Sequence, residues 1–151
     1  MTISDRLAEM GLALPEVVPP VAAYQPAVKS GNLVFTAGQL PFRDGVSLAV
    51  GKVGAGVTEE TATECAQQAA LNALAAIANL IGDLDQIKRI VKVVVFVASA
   101  AEFTNQPLVA NGASQFLGQL FGEQGQHARS AVGVSVLPLD APVEVELIVE
   151  I

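Results

Sequence analysis

The stretch "RIVKVVVFVASA", Arg89–Ala100, is apolar almost without interruption. A strand with one wet face alternates polar and apolar residues in period two, so a continuous β-branched run calls for cover on both faces. The run therefore predicts a central, covered strand with neighbours along both edges. No other segment leaves the fold so little choice.

The remaining segments supply the neighbours. "SDRLAEMGLALP" reads as a short helix capped by Ser4, with Leu7 and Met10 inward and a stop around Gly11 and Pro15. "PEVVPPVAAYQP" is proline-rich and reads as extended. "AVKSGNLVFTAGQLP" holds two strand-like segments around Ser30-Gly31-Asn32, a hairpin signal, and Gly38 and Pro41 end the second. The glycine-rich "RDGVSLAVGKVGAGV" follows as a loop. Thr58 then caps a helix whose first turn carries Glu59 and Glu60, where the helix dipole favours anions. Ala66, Ala70, Ala73, Ile77 and Ile81 give that helix one apolar face, and Gly82 stops it.

Beyond the central strand, a second helix is expected over about Phe103 to Phe121, with Pro107 in its first turn and Gly122 at its end. Two strands close the chain, about Arg129–Leu137 and Val143–Ile151, joined by "PLDAP". The order β-β-α-β-α-β-β predicts a single α+β domain over 1–151, with one mixed sheet and both main helices on one face. Residues 1–20 form an N-terminal helix and extended arm ahead of it.

Composition narrows the function. Hydrophobic residues make up 52% of the 151 and charged residues 15%, which fits a subunit that buries a face against copies of itself. The net charge of −7, with eight scattered basic residues, argues against a nucleic-acid partner. Cys65 and His127 are each the sole residue of their kind, so a cysteine or histidine metal site and an internal disulfide are not expected. Cys65, set among alanines, reads as a small buried hydrophobe. The first residues do not resemble a signal peptide and no apolar run reaches membrane-spanning length, so a cytoplasmic location is expected.

The chemistry concentrates in the closing strands. On "ARSAVGVSVL", alternation sets Val132, Val134 and Val136 on one face, expected under the helices, and Arg129, Ala131, Gly133 and Ser135 on the other. On "VEVELIVEI", Val143, Val145, Leu147, Val149 and Ile151 oppose Glu144, Glu146, Ile148 and Glu150. An arginine and carboxylates are thus both expected on the face away from the helices. They could form an interface ion-pair network, or a ligand cleft at a subunit boundary in which Arg129 grips a carboxylate through two parallel hydrogen bonds.

"TAGQLP", "ARSAVGVSVLP" and "VEVELIVEI", in that order, resemble the Rid family, also called YjgF or endoribonuclease L-PSP, in its longer-chain branch. The resemblance runs from about Tyr24 to Ile151. It implies a ferredoxin-like subunit similar to the trimeric type of chorismate mutase, a homotrimer around a central barrel, and clefts between subunits. It further implies hydrolysis of enamines and imines such as 2-aminoacrylate to a 2-keto acid and ammonia, with no metal or organic cofactor. Arg129 matches the arginine that grips the substrate carboxylate, and Glu144 the acid that positions or activates water. Tyr24 matches an aromatic lining residue, Asn111 a helix asparagine at the cleft, and Gly38 and Gln39 the family's "SGQ" turn.

Two departures stand out. Ala131 replaces a common cysteine and Ala37 a serine, although the Ala131 backbone N–H could still donate to a carboxylate. If the closing strands form a tight hairpin, Arg129 lies opposite Ile151 and Glu144 falls about seven residues, or ~23 Å, away. Arg129 is then expected to meet Glu144 of a neighbouring chain. A non-catalytic trimer that binds small carboxylates is the alternative. A ribonuclease is disfavoured by the acidic balance and the lone histidine, and a chorismate mutase by the want of several cations.

Overall fold

A computed structural model describes residues 1–20 and 22–151 and gives the elements in this order: α1 (Ile3–Glu9), β1 (Ala27–Ser30), β2 (Leu33–Thr36), β3 (Phe42–Arg43), β4 (Val46–Ser47), β5 (Lys52–Val53), β6 (Gly56–Val57), α2 (Glu59–Ile81), β7 (Arg89–Ala98), α3 (Gln106–Phe121), β8 (Ala128–Val134) and β9 (Val143–Glu150). Five strands form one sheet in the order β1-β2-β9-β7-β8. The apolar run is therefore an interior strand, as its pattern requires. β7 runs antiparallel to β9 and parallel to β8, which makes the sheet mixed.

Local chemistry accounts for the element ends. Thr2, not Ser4, caps α1: its hydroxyl accepts from Asp5 N, and the Asp5 carboxylate accepts from Thr2 N. Ser4 already lies inside the helix, whereas Thr2 is extended and can close this reciprocal box. These bonds hold the Asp5 carboxyl below the ordinary carboxylate range. Leu7 is buried and Arg6 Nη1 donates to Leu120 O, so α1 docks on the end of α3. Thr58 accepts from Thr61 N to cap α2, and Gly82, at φ 92°, ends it. β1 and β2 form the expected hairpin, with Gly31 at positive φ in its turn. The loop after β2 contains two small strand pairs, β3–β4 and β5–β6. The extended reading of the proline-rich arm falls partly on Val21, which lies outside the described residues.

Both long helices cover one face of the sheet. α2 lies over β9 and β2, α3 over β7 and β8, and the two helices pack on each other. Small residues permit that approach: a Cβ on Gly112 would come within 2.0 Å of the Thr63 carbonyl oxygen. Val93, Val95 and Val97 of β7 and Val143, Val145, Leu147 and Val149 of β9 fill the space beneath. The other side of the sheet, with Val94, Phe96 and Ile148, is half-buried within one chain. The cover expected on both faces of β7 is thus complete on the helix side alone.

Two expectations about the closing strands are corrected. β8 and β9 do not pair; β7 lies between them, and Arg129 stands opposite Val93 rather than Ile151. The reason is that α3 carries the chain across the helix face and returns it parallel to β7, as a crossover connection does. The faces of β8 are also reversed. Ala131 packs against the core and a Cβ on Gly133 would lie 2.7 Å from Gln106 Nε2, whereas Val132 and Val136 are 44% and 61% exposed. Pairing with β7 sets the phase: Arg129, Ala131 and Gly133 stand opposite the buried Val93, Val95 and Val97 and share their helix-covered face, so the valines of this edge strand point outward.

Candidate functional site

The residues singled out in the sequence gather in two places. The first is cationic and sits where β8 meets α3. Arg129 Nη1 donates to Asn111 Oδ1 at 2.8 Å and to Ser114 Oγ at 3.3 Å. Asn111 and Ser114 stand one turn apart on α3, so both face the strand. Ser114 Oγ lies 2.8 Å from His127 Nε2, and His127 Nδ1 lies 2.6 Å from Gly125 O. All four side chains are half-buried. Among the described residues, the Nε and Nη2 groups of Arg129 have no hydrogen-bond partner. One edge of the guanidinium is anchored while the other keeps the planar donor pair that suits a carboxylate. Ala131, two residues on, presents a methyl group to the core on the same side.

The second place is acidic and sits on β9. Gln39 and Val145 exchange both backbone hydrogen bonds, at 2.8 and 3.0 Å, which pins the segment after β2 against the strand. Gly38 is thereby pressed onto Glu144: a Cβ there would fall 1.8 Å from Glu144 Oε1. Only glycine leaves the carboxylate its place. Tyr24, Gly38, Gln39, Pro138 and Glu144 line a pocket of about 70 Å³. A larger groove of about 810 Å³ adjoins it, sharing Val18, Pro19 and Phe42 and reaching Asp44 and Asn72. Burial raises the Glu144 carboxyl above its ordinary range, and the like charge of Glu146 raises it further. Such a carboxyl holds a proton more readily than a solvated one and suits proton transfer closer to neutral pH.

Within one chain these places do not converge. Val93 stands opposite both Arg129 and Leu147, and Glu144 opposite Phe96. Two strand spacings and three residues separate the pair, about 14 Å between backbones. The side chains also lie on opposite faces: Arg129 meets α3, while Glu144 alternates with the buried Val143 and Val145. The expectation that both share the face away from the helices holds for Glu144 and fails for Arg129.

Sequence reasoning passed over Ser114 and weighed His127 only as a metal ligand or as half of an acid–base pair for RNA cleavage. The spacing of Asn111 and Ser114 on a helix, and of His127 and Arg129 along one extended segment, is the signal that could have grouped them. A buried relay on α2 also went unread. Asn72 Nδ2 donates to the carbonyls of Leu40 and Phe42, Gln68 Nε2 donates to Asn72 Oδ1, and Arg43 Nε donates to Gln68 Oε1. This relay fixes the segment that carries Gly38 and Gln39. Cys65 is fully buried and burial pushes its thiol up to about 11, in keeping with a packing role. Among the described residues, no cluster of three His, Cys, Asp or Glu side chains could hold a metal, and no helix is long and apolar enough to cross a membrane.

Comparison with known proteins gives the family of the chain. The family model described as YjgF/chorismate mutase-like, putative endoribonuclease, matches residues 4–151. Protein TCP17 of Trypanosoma cruzi is 41% identical over 150 residues, covering 99% of this chain and 94% of that one. The crystal structure of Atu1372 from Agrobacterium tumefaciens, a protein of unknown function, is 44% identical with a TM-score of 0.91, over 99% of this chain and 92% of that one. A putative endoribonuclease from Shewanella oneidensis MR-1 is 32% identical with a TM-score of 0.97, and each chain is covered fully. The chain belongs to the YjgF/chorismate mutase-like family, the Rid family that its motifs resemble.

Proposed function

We propose that this protein hydrolyses reactive 2-imino acids and their enamine tautomers, of the 2-aminoacrylate type, to 2-keto acids and ammonia. The observation that carries the reading is Arg129: its guanidinium is anchored by Asn111 and Ser114 on one nitrogen, with its other donors directed to no protein group. That is the arrangement a small carboxylate needs for two parallel hydrogen bonds.

The chemistry asks little more. The enamine tautomerises to the imine, whose carbon is electrophilic. Water adds to that carbon as one of its protons passes by way of the Glu144 carboxylate to nitrogen, giving the carbinolamine; the remaining hydroxyl proton then passes by the same carboxylate to nitrogen as the C–N bond breaks, which releases ammonia and leaves the ketone. Orientation by the arginine and proton transfer by the carboxylate are the two contributions required. Because Arg129 and Glu144 diverge within one chain, the working site pairs Arg129 of one copy with Glu144, Gly38, Gln39 and Tyr24 of another, in the homotrimer that the family resemblance implies. The half-buried apolar sheet face supports association of this kind.

The test is to generate 2-aminoacrylate in situ with a pyridoxal-phosphate dehydratase and follow pyruvate release. Acceleration by the protein, lost in Arg129→Ala, is expected. A specific observation keeps the non-catalytic carboxylate binder as second reading: Ala37 and Ala131 leave the lining with fewer polar groups. Keto-acid binding without acceleration would favour it. The ribonuclease activity named among the relatives finds weaker support in a chain of net charge −7 with one histidine.

A further inference from the structure

We infer that His127 is a positioning residue which, through Ser114, holds the Arg129 guanidinium in its carboxylate-gripping orientation. The inference rests on Arg129 being the carboxylate clamp and adds what sets that clamp.

The polarity of the contacts is fixed by chemistry. Gly125 O can only accept, so His127 Nδ1, 2.6 Å away, carries the ring hydrogen. In the neutral ring Nε2 then bears the lone pair, and the Ser114 hydroxyl, 2.8 Å away, donates to it. With its proton committed, Ser114 Oγ turns a lone pair to Arg129 Nη1 at 3.3 Å, while Asn111 Oδ1 takes the same nitrogen's other hydrogen at 2.8 Å. Both Nη1 hydrogens are thereby used on α3, and the Nη2 and Nε donors remain for a ligand. Reversing the imidazole tautomer would set the Nδ1 lone pair against the Gly125 carbonyl oxygen and make Ser114 Oγ accept from both His127 and Arg129.

Both ends of the relay are fixed to one rigid element. Asn111 and Ser114 belong to α3, and Gly125 is packed onto its last turns: a Cβ there would lie 2.5 Å from the Leu117 carbonyl oxygen. The glycine keeps its carbonyl against His127, so the tautomer is set by the backbone of the segment that follows the helix. A guanidinium held this way loses less freedom when a carboxylate arrives.

The experiment measures 2-oxobutyrate binding by calorimetry in the full-length protein and in His127→Leu, His127→Gln, Ser114→Ala, Arg129→Ala and the double variant His127→Leu/Ser114→Ala. His127→Leu and Ser114→Ala should each weaken binding roughly three- to tenfold, the scale of one net hydrogen bond. The double variant should be no weaker than either single one, since both break the same relay. His127→Gln, whose amide oxygen can accept from Ser114, should restore most of the affinity. Additive losses, or wild-type affinity in His127→Leu, would overturn the inference. As the chain has one histidine, ¹⁵N-detected NMR reads its tautomer without assignment ambiguity. Protonation at Nδ1 with an Nε2 signal displaced in Ser114→Ala is expected, and an Nε2–H tautomer would refute the relay whatever the binding. Unchanged affinity in Arg129→Ala would instead sink the clamp itself.

Discussion

Replacing Gly38 with alanine isolates the acidic half of the site. The new Cβ would stand 1.8 Å from Glu144 Oε1, 2.6 Å from Cδ and 2.8 Å from Cγ. To regain an ordinary contact near 3.4 Å, the carboxylate oxygen must retreat by roughly 1.5 Å. The backbone is not the obstacle, because Gly38 is absent from the positive-φ positions and everything it would strike is a flexible side chain. The fold therefore yields cheaply: overpacking costs about 1 kcal/mol, partly offset by the lower entropy of the unfolded chain. Catalysis does not, since misplacing a reacting group by about 1 Å can cost ~100-fold. Gly38→Ala should lower kcat/KM for the 2-aminoacrylate reaction by ~100- to 1,000-fold while urea denaturation shows a change of about 1 kcal/mol or less. Gly118→Ala is the control: nothing lies within 4 Å of its Cβ position in α3, and it should stabilise by ~0.5–1 kcal/mol with activity intact. A Gly38→Ala protein within about threefold of wild-type activity would refute the role assigned to Glu144.

Other perturbations follow from single contacts. Gly112→Ala drives a methyl group into the Thr63 carbonyl, a backbone atom that cannot turn aside, and should destabilise by about 3 kcal/mol or more in chemical denaturation. Asn72→Ala strips the Leu40 and Phe42 carbonyls of their donor and should cost roughly 2–4 kcal/mol, with activity falling further than stability alone explains. Glu144→Gln tests the raised carboxyl. Below the unfolded-state value both states are protonated and nothing is lost; as pH rises from there through the raised folded value, the buried charge destabilises the fold. The variant should therefore melt higher than wild type near pH 7 and level with it at about pH 3. A higher wild-type Tm at neutral pH would contradict a burial-dominated site.

The sequence was most legible where a single local rule decides. A polar cap with acids behind it begins α2 at Thr58, a glycine ends it at Gly82, and an unbroken apolar run marks β7 as interior. It was least legible at β8, where two rules compete. Valine alternation suggests a core face, but the register with β7 decides it: Arg129, Ala131 and Gly133 fall opposite the buried Val93, Val95 and Val97, and the valines go out. Period-two reasoning sees the alternation but not which phase is covered. Nor does chain order reveal pairing: consecutive strands joined by a short turn suggested a hairpin, while the sheet places β7 between them. The candidate residues Arg129, Glu144 and Gly38-Gln39 stand out in the sequence because they sit in short motifs. Their neighbours Ser114, His127 and Asn72 needed coordinates, for they meet the site through folding rather than through spacing in one segment.

The central claim is that Arg129 and Glu144 act together only across a boundary between copies. Arg129→Ala and Glu144→Gln proteins, each inactive alone, can be unfolded together, refolded as a mixture and assayed for pyruvate release. Random assembly in a closed ring leaves about one site in four with both groups intact, so roughly a quarter of wild-type activity should return. A mixture as inactive as its components, despite demonstrated subunit exchange, would contradict the account.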